Sequence, residues 1–298
     1  MHFHAYRHYH NRLSGEFDLV IDQINTIPFF TPLWAGIPIL VMMWQLAREV
    51  WWYESPAPLN AIGFVLEPEY LKIYRRTRVI TFGRSTAEDL RRLGFQEDIR
   101  IVPVGIEAID VGPVKKAEEP LFIYVGRLAP SKRVHEIVEA FGMYRKQTGV
   151  GRLALVGDGP ARYVRRLQQT AERFGVTSEM EFCGWLRGAE KHRRMAEAHA
   201  LLMASVREGW GLVVSEANAC GTPAIVYNVP GLRDSVRNEE TGLIVEPRAV
   251  HLCAGMIRLT GDPALYGRLA DEAKRWSSTF TFDEAARIIG LALESQAA

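Results

Sequence analysis

The sequence predicts an α/β protein built from two parallel-sheet domains of Rossmann type. Three observations carry that expectation. Short apolar runs alternate with longer amphipathic segments along most of the chain. The 298 residues, 48% hydrophobic and 24% charged, suit a globular protein of two domains. Between the two series of runs, GIEAIDVGPVKKAEEP (residues 105–120) has no sustained apolar period and reads as an interdomain linker.

The opening MHFHAYRHYHNRL lacks the apolar stretch and small-residue cleavage site of a secretory signal, so export by that route is not expected. His4 and His8 lie four apart on one helical face, but no carboxylate or cysteine joins them. A surface helix leading to the strand at Phe17 is the plainer reading. From Ile24 to Leu46 no side chain is charged, a length that could span a bilayer. Pro28, Pro32, Pro38 and Gly36 interrupt it and predict a loop, a short helix and a buried strand instead.

The runs FDLVID, IPILVMM, RVITF and IRIVPV then read as strands, with helices near 67–74 and 86–93. Beyond the linker come LFIYVG, a helix over 134–147, LALVG, a helix through 165–174, MEFCG, a helix near 190–198, and ALLMAS. PAIVYN and GLIVE add two more strands before helices over 249–259, 263–276 and 282–293. The expected division is residues 1–107, then 108–276, with the terminal helix of 277–298 packing back on the first domain.

Lys and Arg total 36 against 35 Asp and Glu, a net charge of +1, so no global field draws nucleic acid and any anion site must be local. The cysteines Cys183, Cys220 and Cys253 are too scattered for a disulfide framework or a structural zinc site, which points to a reducing, cytoplasmic setting.

Three strand ends carry the chemistry. In YVGRLAPSK, Gly126 permits a tight turn and Arg127 and Lys132 reach the same space, as a diphosphate requires. In LVGDGPARY, Gly157 and Gly159 imitate a dinucleotide fingerprint, but Arg162 stands where its third glycine belongs; a tight turn into a helix fits better than a nicotinamide site. In SVREGWGLVVSEANACGTPAIV, Glu208 and Glu216 are separated by seven residues, with Gly209 and Gly211 between them and a helical run from Leu212. A helix starting near Gly211 would aim its free N–H groups where Glu208 faces, a phosphate site, while Glu216 one turn on would accept hydroxyls. Cations, helix amides and two carboxylates together describe a nucleotide sugar.

The strings GRLAPSK, VGDGP, EGWGLVVSEANACGTPAI and TGLIVEP, in this order, resemble the donor domain of glycosyltransferase family 4, retaining enzymes of the GT-B fold. The match covers most of residues 100–290. The resemblance implies that Arg127 and Lys132 bind the donor diphosphate and stabilise leaving-group charge. It implies Glu208 near the transferred sugar, Glu216 on the ribose, the backbone of Gly209, Trp210, Gly211, Leu212 and Val213 around sugar and phosphate, and Gly184 and Trp185 by the base. The donor is the only small molecule implied: no D-x-D pair occurs, and no metal or cofactor is expected.

Two departures stand out. The N-terminal segment resembles only the second half of a GT-B acceptor domain, so an exposed sheet edge and apolar face are expected. Self-association, a partner chain or a membrane surface would cover them, and VWWYE and YLKIYRRTR suit the last two. Where the family commonly places a histidine after the strand IPILVMM, this chain has Trp44, which cannot shuttle a proton. Gln45 and Arg48 just beyond are acceptor-side candidates. The expected activity is a hexosyl-type transfer from a nucleotide-diphosphate sugar to an unidentified lipid-linked, polysaccharide or small acceptor. The alternative is a nucleotide-sugar-binding or partner-dependent protein without turnover of its own.

Overall fold

A computed structural model of the chain describes residues 2–96 and 98–297. Contacts divide it into two units, Met1–Gly105 with Phe282–Ala298, and Ile106–Thr281. These limits fall a few residues from those expected from the sequence. Phe280 belongs with the second unit because its ring meets Trp210 and Trp276 at 5.3 and 4.9 Å, and its carbonyl accepts from Ile106 N–H at 3.0 Å.

The first unit opens with helix α1 (His2–His8), continued by a π-helical turn to Leu13. Its sheet holds β1 (Val20–Ile24), β2 (Ile39–Met43), β3 (Arg78–Thr81) and β4 (Ile99–Ile101), parallel and in that order. Helices α2 (Trp51–Glu54) and α3 (Leu59–Leu71) lie between β2 and β3, and α4 (Arg84–Arg92) between β3 and β4. The stretch before β2 is loop and a short 3-10 turn, as its prolines require. Strand β1 is the sheet edge, with Ile21 half exposed, and α3 turns Leu59, Ile62, Val65 and Leu66 to solvent.

Pro68 sits inside α3 and cannot donate to the carbonyl of Phe64 four residues back. Arg48 fills that gap: its Nη1 donates to Phe64 O at 3.2 Å and its guanidinium lies 4.3 Å over the Phe64 ring. The buried Glu67 carboxylate in turn accepts from the backbone N–H groups of Ala47 and Arg48 at 2.5 and 2.6 Å.

In the second unit the strands are β5 (Leu121–Val125), β6 (Arg152–Val156), β7 (Met180–Gly184), β8 (Ala200–Met203), β9 (Ala224–Tyr227) and β10 (Gly242–Val245). All are parallel, in the order β10-β9-β8-β5-β6-β7. Helices α5 (Val134–Thr148), α6 (Ala161–Phe174), α7 (Gly188–Glu197), α8 (Leu212–Ala219), α9 (Ala249–Gly261) and α10 (Pro263–Ser277) join or follow them. Gly149 and Gly175 end α5 and α6 in left-handed conformation, and Asp262 caps α10 through Leu265 N–H at 2.9 Å. Every residue of β5 is buried, and Phe122 meets Phe141 and Tyr144 of α5 edge to face.

The segment 106–120 is irregular but not a loose linker. Ile109, Val111, Val114 and Ala117 pack on the core of the second unit, and Lys116 Nζ donates to the carbonyls of Ala198 and Gly221 and to Thr222 Oγ1. Helix α11 (Phe282–Ala297) returns to the first unit, where Phe282 lies against Gly105 so closely that a Cβ there would meet its ring at 2.6 Å.

Candidate active site

The chain order reverses between β5 and β8: β6 and β7 extend the sheet to one side, β9 and β10 to the other. Ligands of open α/β sheets bind at the carboxyl ends of the strands flanking such a point. Here those ends carry Gly126–Lys132 and Ser205–Gly211. Lys132 ends a 3-10 turn after β5, and its Nζ donates to Glu208 Oε1 at 2.5 Å. Ser205 Oγ donates to the same oxygen at 2.6 Å, and neither bond uses Oε2. Val206 N–H to Ser131 O, 2.9 Å, fastens the two loops together.

Arg127 is exposed, and its carbonyl accepts from the Tyr124 hydroxyl at 2.7 Å. Burial first, then the Glu208 carboxylate, holds the Tyr124 phenol well above its usual value, while Arg127 pulls the other way. Tyr124 is therefore a neutral phenol that donates to the Arg127 carbonyl.

From Glu208 the chain runs through Gly209 and Trp210 into α8. Trp210 Nε1 donates to Ser215 Oγ at 2.9 Å, and its ring packs against Trp276 and Phe280, with Arg237 over Trp276 at 4.9 Å. Gly211 precedes α8 with φ +86°, a conformation side chains rarely adopt, and the first N–H groups of the helix have no intrahelical partner. Gly231 approaches from the loop after β9: Glu208 N–H donates to Pro230 O at 3.0 Å, and a Cβ on Gly231 would stand 2.0 Å from Glu208 O.

Gly126, Gly157, Trp185, Leu212, Val213 and Glu216 line one cavity of about 440 Å³, together with Arg187 and Lys191. Gly157 and Gly159 serve close backbone packing, since a Cβ on either would meet the carbonyl of Gly126 or Leu128 at 1.9 Å. Gly184 ends β7 with φ +65° and accepts from Gly157 N–H at 2.7 Å. Trp185 is half exposed, with the Arg187 guanidinium 5.9 Å from its ring. Glu216 Oε2 accepts from Lys191 Nζ at 2.8 Å.

Gln45 and Arg48 lie in the first unit. Arg48 is committed to α3, while Gln45 Oε1 and Trp44 Nε1 are buried without a hydrogen-bond partner, Trp44 stacking on Phe82 at 4.0 Å. Sequence reasoning missed Ser205, Arg187, Lys191 and Gly231. Only Gly231, after a proline in VPGLRD, carried a local signal, that of a turn. Among the described residues, no three His, Cys, Asp or Glu side chains gather as a metal site, and no helix is long and apolar enough to cross a membrane.

Two parallel-sheet units with a cavity at the carboxyl edge of the second are the architecture of GT-B glycosyltransferases. The chain belongs to the family described as glycosyl transferases group 1, whose model matches residues 106–276. It is 27% identical over 222 residues to a GDP-mannose-dependent alpha-(1-6)-phosphatidylinositol monomannoside mannosyltransferase of Mycobacterium tuberculosis, an alignment covering 66% of this chain and 57% of that protein. Its fold is similar to sucrose-phosphate synthase from Thermosynechococcus elongatus, with TM-score 0.79, 23% identity and coverage of 98% of this chain and 76% of that one. It is also similar to Anabaena Alr3699/HepE, solved in complex with UDP and glucose, with TM-score 0.76, 19% identity and coverage of 99% and 81%. The chain spans about half the length of the curated relatives it matches.

Proposed function

We propose that this chain transfers a hexosyl group from a nucleotide-diphosphate sugar to an acceptor hydroxyl, with retention of configuration and without a metal. The observation that carries the reading is the Lys132–Glu208 pair at the switch point, beside the open amino end of α8. Family membership favours a transferase over a module that only binds.

In the proposed reaction the bond between the sugar anomeric carbon and the diphosphate oxygen breaks, and one to the acceptor oxygen forms on the same face. The acceptor proton passes to the departing phosphate oxygen. Positive charge grows on the sugar and negative charge on the diphosphate, so groups already in place against those charges lower the barrier. Lys132 and Arg127 with the first N–H groups of α8 meet the diphosphate, and Glu208 faces the cationic sugar. Glu216 holds the ribose, with Trp185 near the base. Gln45 belongs to the acceptor side, and the reaction runs in the cytoplasm. The solvent-facing apolar side of α3 is the surface that would meet a bilayer carrying a lipid-linked acceptor.

The test is a thermal-shift panel of nucleotide sugars followed by a search for released nucleoside diphosphate. One donor should raise Tm and be turned over in the presence of chelator once an acceptor is supplied. No stabilisation by any nucleotide sugar would overturn the reading.

A further inference from the structure

The cavity holds one side chain, Lys191, that the donor motif does not account for. Lys191 stands one turn into α7 and Glu216 one turn into α8, and Nζ meets Oε2 at 2.8 Å across the lining of the 440 Å³ cavity. Their side chains are 20% and 25% exposed. Joining α7 to α8 could be done anywhere along their contact, so it is a weak reason for the pair to stand on the cavity lining. The chemistry of a sugar ring is a stronger one.

Each hydroxyl of a vicinal diol both donates and accepts. A carboxylate alone only accepts, leaving the hydroxyl oxygens to find a donor elsewhere. Glu216 has Oε1 outside its bond to Lys191, and Lys191 has given Glu216 one of its three N–H donors. The pair thus offers an acceptor beside a donor, complementary to two adjacent hydroxyls at once.

We propose that Lys191 is a specificity residue that, with Glu216, reads the ribose diol of a nucleoside diphosphate and distinguishes it from the 2′-deoxy form. This rests on the reading of the cavity as a nucleotide-sugar site. Sites that hydrogen-bond a hydroxyl reject analogues lacking it, because their own polar groups are then left unpaired.

The experiment is calorimetric titration of the full chain with UDP, GDP and the corresponding 2′-deoxynucleoside diphosphates. The unaltered protein should bind its preferred ribonucleotide at least about tenfold more tightly than the deoxy form. Lys191→Met should weaken the ribonucleotide by roughly tenfold and leave the deoxy form unchanged, so the preference collapses. Lys191→Arg, which keeps the charge and donors, should restore most of it, and also serves if the methionine variant does not fold. A ribose preference that survives in Lys191→Met, or equal weakening of both ligands, would overturn the proposal while leaving the cavity reading intact. Failure of the unaltered protein to bind either ribonucleotide would overturn that reading and the proposal with it.

Discussion

Gly231 faces the carbonyl of Glu208 with no space for a side chain between them: a Cβ would stand 2.0 Å from Glu208 O, and φ is +83°. Gly231→Ala must therefore displace the Glu208 loop, and the positive φ adds strain of about 1–3 kcal/mol. The expected outcome is a lower Tm and loss of nucleoside diphosphate binding together. Gly261→Ala, at the end of α9 with nothing within 4 Å of its added Cβ, should leave both unchanged. Paired thermal melts and titrations of the two variants check this.

Lys132 and Glu208 share one short bond but should fail differently. Lys132→Ala removes a charge-assisted donor, so nucleoside diphosphate affinity should fall by about 1–3 kcal/mol, roughly ten- to hundredfold. Glu208→Gln keeps the shape and should lower kcat more than it raises KM for the donor. Steady-state kinetics with the donor found by thermal shift separates the two, and a Glu208→Gln variant with unchanged kcat would remove Glu208 from the reaction.

In the first unit, Arg48 compensates for Pro68 by donating to the Phe64 carbonyl. Arg48→Ala leaves that acceptor without its donor and strips the cation from the Phe64 ring, so a loss of about 1–3 kcal/mol in urea unfolding is expected. Arg48→Ala with Pro68→Ala should recover part of the loss, since the helix then supplies its own N–H.

Acid should weaken the second unit through His135, whose Nδ1 lies 3.0 Å from the Tyr163 hydroxyl. Burial, then the cations of Arg166, Arg133 and Arg173, push the ring from its ordinary 6.5 down to about 4. The unfolded chain takes up this proton and the folded chain resists it. The stability contributed is full above 6.5 and is lost as pH falls from there through about 4. Melting curves between about pH 7 and about pH 4.5 should show a smaller drop in Tm for His135→Gln than for the unaltered protein. Equal drops would exclude the role.

Strands and helices of the second unit were legible because local pattern and tertiary fate agree there. LFIYV is apolar throughout and buried throughout, and the glycines after it mark real turns. The packing of the segment 106–120 is not legible, because Ile109, Val111 and Val114 anchor singly, with no sustained apolar period. The bond from Arg48 is not legible in the sequence, because the carbonyl it meets, orphaned by a proline, lies sixteen residues away on another helix. Lys191 and Glu216 are twenty-five apart, and nothing in either helix announces that they meet. Side-chain partnerships between elements are the part of a site that one-dimensional pattern does not encode.

The hydrogen bond from Ile106 to Phe280 brings the entry and exit of the 106–281 stretch side by side. A segment whose two ends nearly touch can be lifted out or spliced into a foreign loop without stretching either junction. Swapping this cassette among related chains is thus a geometrically cheap way, for evolution or for an engineer, to exchange one unit while keeping the sequence on either side of it.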